Sequence, residues 1–208
     1  KVGMAQKTSS GAVLIRNFST DLPHSVRKKA NVAAKQKIAE KISQIFHDGD
    51  CIMIDSSSTA LLVLNYIKNL KNITLITNSV EALIELSDKD NWTVFSTGGK
   101  LKRGSLSLVG PSAEKTIRSF HVDYAVCSSK GIDMNHGITD SNEKDSEMKQ
   151  AIFDSAETKI LVIDSSKFDK ISLIKVTDIT DVDIIATEKE PSSDWVEYLK
   201  RKNVDLIY

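Results

Sequence analysis

Four consecutive hydroxyl residues follow a carboxylate in this sequence, and this stretch is the first place where chemistry is expected. The carboxylate is Asp55, which ends the apolar run Cys51–Ile54, and an amphipathic segment begins at Ala60. The hydroxyl residues between them are Ser56, Ser57, Ser58 and Thr59. If a strand leads here into a helix, the first helical amides lack partners, and the hydroxyls add rotatable donors. The stretch therefore predicts a site for a phosphate or carboxylate group, although one hydroxyl can equally serve only as a helix cap.

Polar clusters also follow three further segments that have the pattern of buried strands. They are Thr77-Asn78-Ser79, Gly98-Gly99-Lys100 and Asp164-Ser165-Ser166-Lys167. The carboxyl ends of parallel strands meet at one edge of a sheet, where open α/β sheets bind ligands. Glycines at 98 and 99 would let a ligand approach the backbone, and Lys100 and Lys167 would supply cations. The simpler alternatives are a turn or cap, a loop glycine with positive φ, and a solvated lysine.

Three other charged residues are candidates for a role in binding. Asp123 and Asp133 flank a predicted strand and the loop after it, so they are expected either to orient ligand hydroxyls or to stabilise turns. Lys149 lies in the middle of a predicted helix, where we expect it to be solvated.

The sequence carries few signs of catalysis. It has no nucleophile elbow, no phosphate loop of the GxxxxGK[ST] type and no GxGxxG fingerprint. A carboxylate beside a phosphate site can still take a proton from a sugar carbon, and the groups available for this are Asp55, Asp123, Glu143 and Lys167.

The four histidines show no metal-ligand spacing, so neither a metal nor a cofactor is predicted. Cys51 and Cys127 lie in apolar runs and are expected to be buried thiols.

Composition limits the remaining classes. The chain has 208 residues, of which 40% are hydrophobic and 27% charged, typical of one soluble domain. Lys and Arg number 28 and so do Asp and Glu, so this chain by itself is not expected to bind nucleic acid non-specifically. No apolar run approaches the roughly 20 residues that span a bilayer, so we expect a cytoplasmic protein without a membrane partner.

The elements that must position these residues alternate along the chain. Predicted strands cover residues 11–15, 51–54, 73–77, 92–96, 122–127, 159–164, 183–186 and 204–207. Predicted helices cover residues 31–46, 60–70, 79–87, 110–120, 143–157 and 192–202. Near-continuous apolar strands between amphipathic helices predict an α/β fold with a mostly parallel sheet and helices on both faces. Residues 101–109 are predicted to form a small extended elaboration, and residues 131–137 a loop.

Together, these motifs resemble the C-terminal effector-sensing domain of the DeoR family of bacterial transcriptional regulators. The resemblance covers residues 11–168 and rests on the order and spacing of short motifs, which are Pro23, Arg27, Asn31, Lys35, Ile38-Ala39, Asp48-Gly49-Asp50, Asp55-Ser56-Ser57-Ser58-Thr59, Thr77-Asn78-Ser79, Gly98-Gly99, Val109-Gly110-Pro111, Asp123, Gly131-Ile132-Asp133, Gly137-Ile138-Thr139, Lys149 and Asp164-Ser165-Ser166-Lys167-Phe168.

The resemblance implies a Rossmann-like fold similar to ribose-5-phosphate isomerase, glucosamine-6-phosphate isomerase and coenzyme A transferases. It implies a non-enzymatic sensor of a phosphorylated sugar or related metabolite, acting as a homo-oligomer on operator DNA through an N-terminal winged helix-turn-helix. That domain would be absent here, with residues 1–208 forming the sensor and residues 1–10 a flexible linker remnant. The phosphate would bind at Asp55, Ser56, Ser57, Ser58 and Thr59, and the other ligand-binding residues would be Thr77, Asn78, Gly98, Gly99, Asp123 and Lys167.

One position departs from the family pattern. The family usually has Asp-Ser-Gly-Thr-Thr at the phosphate loop, whereas Ser57 stands here in place of the Gly and Ser58 in place of the first Thr. A Gly with positive φ at this point would make Ser57 a source of strain or of crowding against the ligand. This departure leaves open an interaction module that has lost ligand binding. A carboxylate beside a phosphate site also leaves open a sugar-phosphate isomerase.

Overall fold

A seven-stranded parallel sheet forms the centre of the computed structural model, which describes residues 5–8, 11–14 and 22–208. The strands are β1 Ala5–Thr8, β2 Gly11–Leu14, β3 Cys51–Ile54, β4 Thr74–Thr77, β5 Thr93–Ser96, β6 Lys100–Lys102, β7 Ser107–Val109, β8 Val122–Cys127, β9 Gly131–Asp133, β10 Gly137–Asp140, β11 Ala156–Val162, β12 Ile174–Thr177, β13 Ile184–Ala186 and β14 Asp205–Ile207. The helices are α1 His24–Lys29, α2 Val32–Ile42, α3 Ala60–Ile67, α4 Val80–Glu85, α5 Pro111–Ile117, α6 Glu143–Asp154 and α7 Ser193–Arg201.

The order of strands in the central sheet is β14-β13-β11-β8-β3-β4-β5, and every neighbouring pair is parallel. The chain builds β3, β4 and β5 in one direction and then returns to place β8 on the other side of β3. The strand order therefore reverses between β3 and β8. Open α/β sheets leave a crevice at such a reversal, beyond the carboxyl ends of the two strands.

Two hydrophobic clusters cover the two faces of this sheet. Side chains alternate between them along each strand: Ile52 and Ile54 of β3 belong to the cluster with α2 and α3, and Met53 belongs to the cluster with α5, α6 and α7. This alternation has the period of two that a strand imposes. The predicted α/β architecture with helices on both faces is confirmed.

The small elaborations are antiparallel. The extended segment predicted for residues 101–109 contains the hairpin β6–β7. Strands β12, β10 and β9 form a separate three-stranded sheet, which the sequence analysis had missed because it assigned residues 131–137 to a loop. Helix α6 also ends earlier than predicted, since β11 already begins at Ala156.

Candidate functional site

A cavity of about 210 Å³ lies at the reversal of strand order, beyond the carboxyl ends of β3 and β8. The turn after β3 and Ser128-Ser129 after β8 form part of its wall. Helices α1, α2 and α6 and the segment after β11 contribute further side chains, namely Arg27, Lys35, Asp145, Met148, Lys149, Asp164 and Lys167. Asn78 after β4 and Asp140 of β10 also line the cavity, so distant parts of the sequence share one polar hollow.

The hydroxyl turn after β3 lines this cavity, as the sequence analysis predicted for Ser56, Ser57, Ser58 and Thr59. Ser57 also has the alternative role, because its hydroxyl accepts a hydrogen bond from the Ala60 amide at 3.2 Å and so caps α3. The Ser57 amide donates to Asp55 Oδ1 at 3.0 Å. The Leu61 amide donates to the Ser57 carbonyl, so helical bonding begins within the hydroxyl turn.

The strain expected at Ser57 is absent. The described non-glycine residues with positive φ are Asn31, Asn72, Leu106, Asp169 and Asn203, so Ser57 does not adopt the left-handed conformation in which a glycine would be required. Ser57 replaces the family's glycine without backbone strain, and only its crowding of a ligand stays a prediction.

A buried ion cluster lies beside the turn. The Lys149 ammonium donates to Asp55 Oδ2 and lies 3.7 Å from Asp140 Oδ2, and all three residues are buried. The expectation that Lys149 is solvated is therefore wrong. Burial disfavours the charged ammonium, but the neighbouring Asp55 and Asp140 carboxylates outweigh this effect and raise the pKa of Lys149 well above its usual value. Asp55 consequently organises the turn from within an ion pair.

A second buried lysine reaches the turn from α2. The Lys35 ammonium donates to Ser58 Oγ at 3.1 Å and to the Arg27 carbonyl at 2.6 Å. Burial lowers the pKa of Lys35 to about 8; Asp164 opposes this shift, whereas Lys167, Arg27 and Lys130 add to it. Lys35 was part of the family resemblance but not among the predicted site residues.

The segment after β11 brings its polar residues to the opposite wall. Lys167 is half-buried and lines the same cavity as the hydroxyl turn, and Asp164 lies beside it. Asp164 Oδ1 accepts hydrogen bonds from the Ser166 amide and from Asn31 Nδ2, both at 3.1 Å. Asn31 joins α1 to α2 with φ of 52°, so this contact ties the connection between the two helices to the end of β11. The predicted convergence of the serine turn and Lys167 is confirmed as geometry.

Two neighbouring residues after β4 differ in their relation to the cavity. Asn78 lines it, donates from Nδ2 to the Leu108 carbonyl at 3.1 Å, and has a buried Oδ1 without a hydrogen-bond partner in the described residues. Thr77 is fully buried, and its hydroxyl donates to the Ile54 carbonyl at 2.7 Å. Thr77 therefore joins the ends of β3 and β4 and does not line the cavity.

The paired glycines lie outside the cavity, contrary to expectation. They follow β5, which is two strands away from β3. Gly99 has φ of 101°, and a Cβ there would lie 2.8 Å from Ala113 Cβ and 2.9 Å from the Val109 carbonyl oxygen. Gly98 has φ of 62°. Positive φ explains Gly98, and positive φ together with the contact with α5 explains Gly99, so the simpler alternative of a loop glycine applies to both.

Asp123 is at the wrong end of the sheet for a ligand-binding role. It stands near the start of β8, and its Oδ2 accepts a hydrogen bond from the Cys51 amide at 2.8 Å at the amino end of β3. Asp133 stabilises a turn, because its Oδ1 accepts from the amides of Asn135 and His136 at 2.9 and 3.0 Å. Neither residue lines the cavity.

Two of the four groups considered for isomerase chemistry lie away from the cavity, since Glu143 is exposed on α6 and Asp123 lies at the amino end of the sheet. The other two, Asp55 and Lys167, line the cavity, and Asp55 is held there in its ion pair with Lys149. No group of three or more described His, Cys, Asp or Glu side chains is arranged to hold a metal ion.

Cys127 is buried, and burial raises the pKa of its thiol, whereas Cys51 is only partly buried. None of the helices within residues 22–208 has the length and apolarity needed to cross a membrane.

The two buried lysines that the sequence analysis missed do have a sequence signal. Lys35, Ile38, Ala39 and Ile42 follow the i, i+3, i+4, i+7 pattern of one helical face, and all four are buried. In α6, Lys149 lies on the buried side with Met148, Ile152 and Phe153. A lysine on the apolar stripe of a helix indicates a buried cation, and this signal was available for both residues.

Several known proteins are similar to this chain in sequence. The family model described as the DeoR C-terminal sensor domain matches residues 30–189. The HTH-type transcriptional regulator YulB of Bacillus subtilis is 34% identical over 96% of this chain and 77% of its own length. The repressor GlcR of the same organism is 30% identical over 97% of this chain and 77% of its own length. The glycerol-3-phosphate regulon repressor of Escherichia coli is 24% identical over 94% of this chain and 78% of its own length.

Solved structures resemble the chain in fold. The beta subunit of eIF2B from Chaetomium thermophilum matches with a TM-score of 0.54 and 15% identity, over 83% of this chain and 53% of that chain. A ribose 5-phosphate isomerase from Plasmodium falciparum matches with a TM-score of 0.46 and 17% identity, over 64% of this chain and 52% of that chain. At 15% identity the likeness to the eIF2B subunit concerns the fold alone.

Proposed function

Because the chain belongs to the DeoR C-terminal sensor domain family, we propose that its cavity binds a phosphorylated sugar or related metabolite and thereby modulates DNA binding by a winged helix-turn-helix outside this chain. The observation that carries the proposal is the convergence of the hydroxyl turn, Lys35 and Lys167 on one hollow at the reversal of strand order. Loose amides at a helix start, hydroxyl donors and cations are what a phosphate monoester requires.

The charge around the cavity supports an anionic ligand. Five cationic side chains line it, namely Arg27, Lys35, Lys130, Lys149 and Lys167. Four carboxylates line it, namely Asp55, Asp140, Asp145 and Asp164. Lys149 is already engaged by two of these carboxylates, and Asp145 is engaged at 2.6 Å by Lys102. The positive excess therefore lies with the lysines at the hydroxyl turn and after β11, where the phosphate is expected.

The uncharged part of the ligand is expected to carry hydroxyl groups. The buried Asn78 Oδ1 lacks a described partner and needs a donor, since an unsatisfied buried carbonyl is costly. Ser128 and Ser129, both buried, add polar groups on the facing strand end. A small polyol chain supplies donors and acceptors to all three residues.

We propose that this binding is not accompanied by turnover. An isomerase needs a free carboxylate near the sugar C1 and C2, whereas Asp55, Asp140 and Asp145 face lysines and Asp164 Oδ1 accepts hydrogen bonds from Asn31 and Ser166. The third alternative, an interaction module without a ligand, depended on strain or ligand crowding at Ser57. Ser57 has no positive φ, so only crowding still favours that alternative. We also propose a homo-oligomer in the cytoplasm, in which effector binding acts only through a difference in affinity between DNA-competent and incompetent states.

The test is a thermal-shift screen with matched pairs of ligands. Ribose 5-phosphate, glucosamine 6-phosphate and glycerol 3-phosphate are each compared with the unphosphorylated parent. A ligand present at 100 times its Kd stabilises the fold by about 2.7 kcal/mol, or roughly 5 to 10 °C for a domain of this size. We expect at least one phosphorylated compound, and no parent, to produce such a shift. Equal shifts from parent and phosphate, or turnover at about 1 s⁻¹ or faster, would contradict the proposal.

A further inference from the structure

Helix α1 has few apolar contacts with the rest of the protein. His24 is its one buried side chain, and Val26 is 44% exposed. Neither of the two hydrophobic clusters formed by the described residues includes a residue of α1. Segments with few buried apolar contacts open more easily than the core. The position of α1 therefore depends on its hydrogen bonds and ion pairs.

The same helix belongs to the wall of the cavity. Four residues of the segment 22–31, which contains α1, line the cavity, and they are Leu22, Arg27, Ala30 and Asn31. We call this segment the α1 strap. It also joins the cavity to residues 1–21, which precede it in the chain. A ligand that fills the cavity therefore adds contacts to a segment that has few of its own.

Glu81 of α4 holds the α1 strap from outside the cavity. Its carboxylate is paired with Lys28, and its Oε2 lies 3.3 Å from His24 Nδ1. The His24 amide donates to the carbonyl of Gly104, in the turn of the β6–β7 hairpin, at 2.7 Å. Glu81 is not among the described residues that line the cavity. Docking of the strap thus depends on a carboxylate that a ligand in the cavity does not contact.

The carboxyl end of the strap is tied to the polar groups around the cavity. Asn31 Nδ2 donates to Asp164 Oδ1 at 3.1 Å, and the Arg27 carbonyl accepts from the Lys35 ammonium at 2.6 Å. A displacement of the strap would break these contacts and change the shape of the cavity wall. The contact at Glu81 and the geometry of the cavity are therefore linked through one short helix.

We propose that Glu81 is a positioning residue, and that docking of the α1 strap on it and binding of an anionic ligand in the cavity favour each other. This inference rests on the proposed function, because it supplies the route by which occupancy of the cavity reaches the chain before the strap. Such coupling is reciprocal: the ligand stabilises the docked strap, and a loosened strap weakens binding by the same factor. The docked state also fixes the point at which residues 1–21 leave the sensor.

The test compares Glu81→Gln with Glu85→Gln, which lies on the same helix. Each substitution removes one carboxylate and one ion pair, but Glu85 is paired with Lys68, outside the strap, at 2.7 Å. The direction of the effect separates the strap from simple electrostatics. Loss of a negative charge by itself should strengthen the binding of a dianion. Release of the strap should weaken it.

Two measurements follow binding and docking separately at pH 7 and constant ionic strength. Binding of sulfate is measured by the NMR signal of the 13C-labelled Met148 methyl, because Met148 lines the cavity. Docking is measured by hydrogen exchange of the His24 amide, which is bonded to Gly104 only while the strap is docked. The amides of α3 serve as the reference for the folded core.

Glu81→Gln should bind sulfate about fivefold more weakly or worse, which is the lower end of coupling between two sites, whereas Glu85→Gln should stay within about twofold. In Glu81→Gln the His24 amide should lose most of its protection while the amides of α3 stay protected. In the unsubstituted protein, sulfate at about ten times its Kd should slow exchange of the His24 amide at least about threefold, from the same coupling.

A second pair of variants tests the contact from the exposed side of the strap, in case Glu81→Gln does not fold. Lys28→Gln removes the partner of Glu81, and Lys29→Gln removes an exposed neighbour on α1. Lys28→Gln should speed exchange of the His24 amide by about twofold to fivefold, the worth of an exposed ion pair. Equal exchange in the two variants would contradict the role of Glu81.

The outcomes separate this inference from the proposed function. If sulfate binds to the unsubstituted protein but leaves exchange of the His24 amide unchanged, or if Glu81→Gln binds sulfate as tightly, the coupling is refuted while the anion site stands. If neither sulfate nor the phosphorylated compounds of the thermal screen bind to the unsubstituted protein, the proposed function fails and the coupling fails with it.

Discussion

Replacing Lys149 by Met should destabilise the fold strongly, although it introduces an apolar side chain of similar length into a buried position. Lys149 is buried and paired with Asp55 and Asp140, each 2% exposed. Removing the cation leaves two carboxylates close together without compensation. Breaking a buried pair from one side costs about 3 to 5 kcal/mol. For a domain of this size we expect a loss of roughly 10 °C in Tm.

The assay is urea unfolding followed by circular dichroism at pH 7 and pH 5. Lys144→Met serves as the matched control, since Lys144 is exposed on the same helix and its loss should change stability by less than about 0.5 kcal/mol. The deficit of the Lys149 variant should shrink at pH 5, because a buried unpaired carboxylate takes up a proton. The folded variant then binds more protons than the unfolded chain, so its stability rises as the pH falls.

A double variant tests whether the cost arises from the unpaired charge. Adding Asp55→Asn to Lys149→Met removes one of the stranded carboxylates, so the double variant should recover about 1 to 3 kcal/mol relative to the single one. A cost below about 1 kcal/mol for Lys149→Met, or no recovery in the double variant, would refute the reasoning that this ion cluster holds the turn after β3.

Three further outcomes follow from the same structure. Lys167→Ala should weaken binding of a phosphorylated ligand by about 1.5 to 3 kcal/mol in calorimetry without lowering Tm, whereas the exposed Lys170→Ala should leave affinity unchanged. Gly99→Ala should cost at least about 1 to 3 kcal/mol in urea unfolding, because its φ of 101° and the 2.8 Å contact with α5 leave no room for a methyl group; unchanged stability would contradict this contact. Asp123→Asn weakens the acceptor of the Cys51 amide, so it should lower stability by about 1 kcal/mol and leave ligand affinity unaltered. A loss of affinity would show that Asp123 has a ligand-binding role.

The architecture could be predicted well from the sequence because it depends on local patterns. The strand periods, the amphipathic helices and the turn residues are read over a few neighbouring positions, and alternation of strands with helices leads to a parallel sheet. The hydroxyl turn and Lys167 were placed at strand ends correctly for the same reason. The position of Asp123 at the start of β8 was also available from the sequence, and its inclusion in the site was therefore an avoidable error.

The short antiparallel sheet of β9, β10 and β12 could not be predicted in this way. Its strands have three or four residues and include Gly131 and Gly137, so the local signal is that of a loop. A Cβ at either glycine would lie within 2.5 Å of a backbone oxygen in the segment that contains β12 and its flanks. Strand β12 pairs with β10 across more than thirty positions, as in Asp140 with Ile174, and a window along the sequence does not contain both partners. The pairing of β9 with β10 is local, so only its short glycine-bounded strands hid it.

The sequence by itself determined the class of fold, the family and the edge of the sheet where polar groups collect, since these depend on the type and spacing of neighbouring residues. Only the tertiary structure decided which strand ends share a cavity. The order β8-β3-β4-β5 places β5 two strands from β3 and excludes the paired glycines. Tertiary contacts also decided that Lys149 has two carboxylate partners, whereas Lys35 has none among the described residues. A lysine's charge is neutralised or left for a ligand according to which distant carboxylates folding brings within about 4 Å, and separation along the chain carries no information about that distance.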